Sequence, residues 1–342
     1  MTVTALVPAL AAAIGNGETN ESYSSISTNL LWSSALVLTL AMLAFGVDLA
    51  GHPARAERAA ARRTATAVDA QGASDTAVLT RTAVEEEPPA EKRQWAGIGM
   101  SLTYLGTLLL AGCILFRSLS VQRPPLGNMY EFALVATLFM LVAFSIWSIK
   151  RDIRWLGMFV TLIAILLEMV SALVFYTAAS QLMPSLQSYW LSIHVTVATL
   201  SIGLFTLAFV VQLLYLVQSR RESRRSGEDT KRGVLDALPN STTLDRLAYG
   251  IVIIAFPLWT FTLIAGAIWA QKAWGHYWTW DPKEVWTLVI WVMYAAYLHA
   301  RYTAGWSGKK AAYLALAAYA CIIINYGVVN VYFVGQHSYS GM

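Results

Sequence analysis

Apolar residues in this chain run in blocks of about twenty, and charged residues gather in the gaps between the blocks. A helix crossing the hydrocarbon of a bilayer needs about 20 mostly apolar residues. About eight blocks approach that length, at 29–51, 95–116, 129–149, 155–175, 190–217, 247–270, 285–299 and 311–334. The seventh is short and leans on its aromatic flanks. The pattern predicts an all-α, polytopic transmembrane helix bundle of about eight spans. Composition agrees: 57% of the 342 residues are hydrophobic and 13% are charged, where a soluble domain carries roughly 25% charged residues.

The placement of the basic residues predicts an orientation. With the N-terminus outside, the inner loops hold 20 of the 24 Lys and Arg, leaving Arg117, Arg123, Lys272 and Lys283 outside. Such asymmetry is the signature of retention on the inner side. It places both termini outside and explains the net charge of +4 without nucleic acid. The opening MTVTALVPALAAAIG lacks a basic n-region and reads as a short external tail rather than a cleaved signal. Three regions follow: the tail and first helix (1–51), a cytoplasmic linker (52–94) containing EEEPPAEKR, and a transmembrane domain (95–342). The linker and the RRESRRSGEDTKR stretch within 218–246 are polar enough to remain solvated. Cys113 and Cys321 lie in apolar runs, and without a Cys-x-x-Cys they form neither a dithiol carrier nor a covalent heme anchor.

The stretch with most chemistry is WGHYWTWDPKEVW, residues 274–286, on the outer side between the sixth and seventh spans. An interfacial aromatic belt accounts for one or two tryptophans at a helix end. It does not require Trp274, Trp278, Trp280 and Trp286 together with Gly275 in thirteen residues. Indoles pack over a large planar ligand such as a porphyrin with extensive apolar contact. Asp281, Pro282 and Glu284 occupy N-cap, N1 and N3 of a helix, a capping box sufficient to explain both acids. The same helix start, helped by Lys283, could favour a carboxylate on the ligand.

His194 and His337 close the fifth and eighth spans on that same side. Two imidazoles and an apolar cradle are what a six-coordinate heme needs. His299 ends the seventh span near the inner side, where an ionisable residue is functional by default or answers a helix dipole. His276, inside the Trp loop, is a reserve ligand, and His52 reads as an ordinary surface residue. Glu168 lies deep in the fourth span, neutral or paired, with its role open.

On these residues the chain resembles the WWD heme-handling proteins, most closely the CcsA/ResC family of system II cytochrome c biogenesis. WGHYWTWDPKE is similar to the family signature, and PLGNMYE (125–131), MPSLQSYWLSIHV (183–195) and GVVNVYFVGQHSY (327–339) are similar to its other landmarks. The resemblance covers about 95–342 and weakens in the linker and first span. The loop before PLGNMYE lacks a His-containing stretch that some relatives carry. The resemblance implies heme b ligated at the outer face by His194 and His337. It implies a second heme site within the membrane at His299, in YAAYLHAR, completed by a ResB/CcsB-type partner. It further implies attachment of heme to apocytochrome c as part of a holocytochrome c synthase complex, with thiol-reducing proteins as further partners. The expected location is the bacterial cell (inner) membrane, with the site extracytoplasmic. A membrane b-type cytochrome and a heme transporter are the alternatives. The first would set histidine pairs at facing depths within the spans, and the second would show a midplane site.

Overall fold

The computed structural model describes residues 19–53, 93–182, 187–225 and 233–336. Among these there are helices and turns and no strand. Eight long helices follow one another. They are α1 (Glu21–Ala50), α2 (Gln94–Val121), α3 (Met129–Lys150), α4 (Gly157–Leu173, entered through a 3-10 turn at Arg154–Leu156), α5 (Tyr189–Arg225), α6 (Ser241–Trp274), α7 (Pro282–Tyr302) and α8 (Lys309–Ile323). The last continues through a π-helical segment, Ile324–Val329, and a closing turn, Asn330–Tyr332. Seven of these are long and apolar enough to cross a membrane, and the chain is a multi-pass helical bundle. The exception is α7, the short seventh span of the sequence. Its 21 residues give it adequate length, about 30 Å at 1.5 Å per residue. Lys283, Glu284, His299 and Arg301 make it less apolar than its neighbours.

Helices α1, α2 and α4 meet without space between them. Ser27 Oγ donates to the Cys113 carbonyl at 2.8 Å and Ser34 Oγ to the Gly106 carbonyl at 3.1 Å. Seven residues forward on α1 is thus seven back on α2, an antiparallel register in step with two helical turns. The backbones approach because glycine faces the bulky side chains: a Cβ on Gly106 would stand 2.7 Å from Leu38, and one on Gly99 2.8 Å from Phe45. Phe45 also reaches Gly157, bringing α4 into the seam. Glu168 of α4 is fully buried, and its Oε1 accepts from Ser34 at 2.9 Å. The carboxyl that the sequence leaves without a role is therefore paired with a hydroxyl of α1.

The other helices are tied pairwise. Ser201 Oγ donates to the Ala255 carbonyl (2.8 Å), joining α5 to α6. Gly203 lets α5 ride against the α3 backbone, where a Cβ would lie 2.8 Å from the Ala136 carbonyl. Arg301 of α7 donates to both oxygens of Asp245 on α6 (2.7 and 2.8 Å) and lies over the Tyr249 ring, 4.5 Å from its centroid. At the end of α3 that opens the second half, Glu131 is fully buried between two guanidinium groups. Arg117 Nε donates at 3.0 Å and an Arg123 guanidinium N–H at 2.8 Å, and each arginine also donates to a backbone carbonyl of the 174–182 segment. Charges buried this way are tolerated because every one is hydrogen-bonded: the single carboxylate serves both guanidinium groups, and backbone carbonyl dipoles answer the remaining positive charge. Their structural effect is to pin the 122–128 loop in place.

The expected linker at 52–94 falls almost wholly outside the described residues, as do the N-terminal tail as far as residue 18 and His337.

Candidate functional site

Helices α3, α5, α6, α7 and α8 surround a partly open cavity of about 160 Å³. Its walls are bonded to one another. Trp259 Nε1 of α6 donates to the Thr287 carbonyl of α7 at 3.2 Å, and Lys283 Nζ of α7 donates to the Asn325 carbonyl of the π segment at 2.8 Å. Tyr326 Oη donates to the Met129 carbonyl of α3 at 2.8 Å. The void thus has a fixed frame, as expected of a preformed ligand site.

His194, in the second turn of α5, lines this cavity. Its Nδ1 stands 3.0 Å from the Thr262 carbonyl. A carbonyl only accepts, so Nδ1 carries a proton; in the neutral ring this leaves the lone pair on Nε2, the tautomer a metal-ligating imidazole needs. The ring lies nearly parallel to the Trp269 indole, at 14° with centroids 5.9 Å apart. Gly266 makes room for it, since a Cβ there would be 2.7 Å from Cε1.

The Trp loop begins where Gly275, at φ +81°, caps α6 in a left-handed conformation and donates to the Gln271 carbonyl. It ends at the anticipated capping box. Asp281 Oδ1 accepts from the Lys283 N–H (2.9 Å), and Glu284 Oε2 accepts from the Asp281 and Thr279 N–H groups (3.1 and 2.9 Å). The candidates between these points occupy different places. Trp278 lines the cavity. Trp274 packs edge-on behind it against Trp269, centroids 4.7 Å apart. Trp280 is 72% exposed and stands at 88° to Trp278. Trp286, in the second turn of α7, is half-buried and outside the cavity lining, and so is His276. Trp280 also holds φ +61°, a conformation costly for a residue with a side chain, so the loop stores backbone strain at its most exposed indole.

Asp281 has a second task that local sequence does not reveal. Its Oδ2 accepts from the Gln336 N–H at 2.7 Å, and a Cβ on Gly335 would lie 2.3 Å from that oxygen. The chain leaving α8 is therefore latched to the Trp loop at the residue before His337. His299 lies near the other end of α7 from Lys283, exposed on the helix surface, and takes no part in this cavity.

The family described as cytochrome C assembly protein matches residues 126–337. The cytochrome c biogenesis protein CcsA of Guillardia theta is 35% identical over 256 residues, covering 71% of this chain and 85% of its own length. That of Porphyra purpurea is 33% identical over 277 residues, covering 70% and 85%. That of Prochlorococcus marinus strain NATL2A is 31% identical over 280 residues, covering 72% and 88%. The chain belongs to the CcsA family.

The family match opens at Leu126, the first residue of the cavity wall, and takes in the last, Asn330. Helices α1 and α2 precede it. Within the matched region, Trp259, Gly266, Trp269 and Asn325 belong to the site and escaped the sequence reading. Trp259, Thr262, Gly266 and Trp269 recur at helical spacing on one face of α6. Two indoles, a hydroxyl and a glycine on a single stripe were a readable sign of a lined cavity. Asn325 carried no comparable sign, because its position depends on the π segment.

Proposed function

We propose that this chain acts in cytochrome c biogenesis by holding heme in the His194 cavity and presenting it for covalent attachment to apocytochrome c. The observation carrying this reading is His194 itself: an imidazole whose Nδ1 proton is held by the Thr262 carbonyl, stacked on Trp269, beside a cavity lined by Trp259, Trp269 and Trp278. The donor type, the apolar aromatic lining and the glycine cradle at Gly266 fit heme b. Heme would supply the vinyl groups to which the Cys-x-x-Cys-His thiols become bonded. The protein's part is to position the ring, limit water around it and offer a nitrogen ligand that an incoming histidine can replace. His337 is assigned the second axial position. The Asp281 latch on Gln336 supports this by fixing the preceding residue beside the Trp loop. Trp274, Trp278, Trp280 and Trp286 with Gly275 form the aromatic rim in this reading, with Asp281 as its anchor.

His299 belongs to a second heme site, shared with a ResB/CcsB-type subunit across the exposed face of α7. An exposed imidazole near the end of an apolar helix is where a partner's ligand could complete coordination. The cavity faces the extracytoplasmic side of the cell membrane, with the basic loops inside and both termini outside.

The test uses the full chain co-expressed with its partner subunit and an apocytochrome. His194→Ala and His337→Ala should each insert normally yet abolish maturation, and added imidazole should restore part of it. A tryptophan variant, Trp278→Ala, loses stacking area and should not respond to imidazole. Normal maturation in both histidine variants would overturn the assignment of the axial pair.

A further inference from the structure

The cavity has a polar end that a ring-and-ligand description leaves unused. Lys283, Glu284 and Thr287 of α7 and Asn325 and Asn330 of α8 and its extension line it together. Such a concentration is unusual in a wall otherwise built of apolar and aromatic side chains, and three features show that it is not merely structural.

First, among the described residues Lys283 Nζ has a single acceptor, the Asn325 carbonyl, and an ammonium has three N–H groups to place. Second, Asn325 is buried, yet among the described residues its Oδ1 has no hydrogen-bond partner. An amide whose oxygen is unbound is not fixed in orientation by the protein, and a half-turn about its last torsion offers N–H groups to the same space. Third, the backbone here departs from α geometry. The i→i+5 pattern of a π segment displaces carbonyls from their usual partners, and such segments concentrate at functional sites. The Asn325 carbonyl is one that turns to Lys283.

We propose that Lys283, assisted by the Asn325 amide, is a carboxylate-binding pole of the cavity that fixes the rotation of a flat, acid-bearing ligand about its own plane. A charge-assisted N–H···O contact in an apolar surround is strong and directional. Stacking on indoles, by contrast, tolerates rotation of the ring. The neighbouring Glu284 Oε1 is also buried and has no hydrogen-bond partner among the described residues. It repels a second carboxylate, so the pole accepts one acidic arm of the ligand and not two. These residues are positioning and specificity groups. The inference rests on the proposed heme reading and adds an orientation to it.

The probe is iron protoporphyrin IX and its dimethyl ester, which has the same ring and no free carboxylates. Each is titrated into the purified full chain in lipid nanodiscs, and the Soret band is followed. Wild type should bind the free acid about tenfold more tightly than the ester, the order of one charge-assisted hydrogen bond. Lys283→Gln should bring the ratio to within about twofold by weakening the acid alone. Glutamine keeps a donor for the Asn325 carbonyl, and unchanged ester affinity reports an intact cavity. Glu284→Gln should act in the opposite direction, tightening the acid a few-fold with the ester unaffected. Equal wild-type affinities for the two porphyrins, or equal losses for both in Lys283→Gln, would overturn the carboxylate pole while leaving heme binding in place. Failure of wild type to bind either porphyrin would overturn the heme reading and the pole with it.

Discussion

The α1–α2–α4 layer and the α5–α8 half use the same kinds of residue to opposite ends. In the first, glycines at 99, 106 and 157 admit the side chains of a neighbouring helix, and the hydroxyls of Ser27 and Ser34 on α1 are spent on neighbouring backbone and on Glu168. In the second, Gly266 admits an imidazole, and among the described residues the buried oxygens Glu284 Oε1 and Asn325 Oδ1, on residues that line the cavity, have no hydrogen-bond partner. Within a membrane no hydrophobic force joins helix to helix, so close packing and hydrogen bonds must do so. The first layer takes close packing nearly to completion, with Glu168 Oε2 left without a hydrogen bond among the described residues. The second stops short around the cavity and encloses it instead with a few strong ties. A filled seam supports the bundle, and an unfilled one is available to a ligand.

Substitutions can break or sharpen that contrast. The largest effect is expected from Gly106→Leu, which drives a side chain into Leu38 at the α1–α2 seam. Overpacking of this kind costs about 3 kcal/mol or more, and the yield of folded protein from membranes should fall steeply. A yield equal to wild type would mean that the seam is not close-packed. Gly266→Val is next. It removes the space His194 occupies, so heme content should fall about tenfold while folded yield holds. Imidazole should not restore it, because the displaced ring still occupies the cavity. Full rescue would show that the displaced ring had left the cavity. Asp281→Asn should have a milder effect. An amide has one acceptor oxygen where the carboxylate has two, so it cannot serve the Lys283 and Gln336 N–H groups on separate oxygens, and the latch should weaken by about 1–2 kcal/mol. The observable is a few-fold loss of maturation together with faster proteolysis of the C-terminal segment. Unaltered proteolysis would show that the latch does not hold the segment. Glu168→Gln should matter least, within about 0.5 kcal/mol in thermal unfolding, since an amide oxygen still accepts from Ser34. A maturation defect there would give Glu168 a part in function after all.

Much of this was written in local sequence. Hydrophobic blocks placed the helices, and Asp281, Pro282 and Glu284 announced the start of α7 three residues at a time. His194 stood out because an imidazole near the end of an apolar block has few ordinary explanations. What stayed hidden depends on residues far apart meeting. Nothing near Gly106 names Ser34 or Leu38 as its neighbour, and nothing near Asp281 points to Gln336, 55 positions away. Spacing gives the face of a helix but not what that face will meet. Trp280 hid for a different reason: its positive φ follows from fitting seven residues between α6 and α7, and side-chain chemistry does not report it. The lining of α6 was visible as a Trp-Thr-Gly-Trp stripe, but it merged with an apolar block already assigned to the membrane.

The π segment in α8 makes chain length a carrier of information. An i→i+5 turn accommodates one residue more than an α turn, and each residue turns a helix by about 100°. Everything after Val329, including Asn330 and the Gly335–Gln336 pair that meets Asp281, is therefore out of phase with the helix before it. Deleting a single residue from 324–329 would let the helix close into uninterrupted α geometry and swing the C-terminal segment about a quarter-turn away from its latch. At this point in the chain composition could stay almost constant and the site would still be lost, as a gear fails when one tooth is removed.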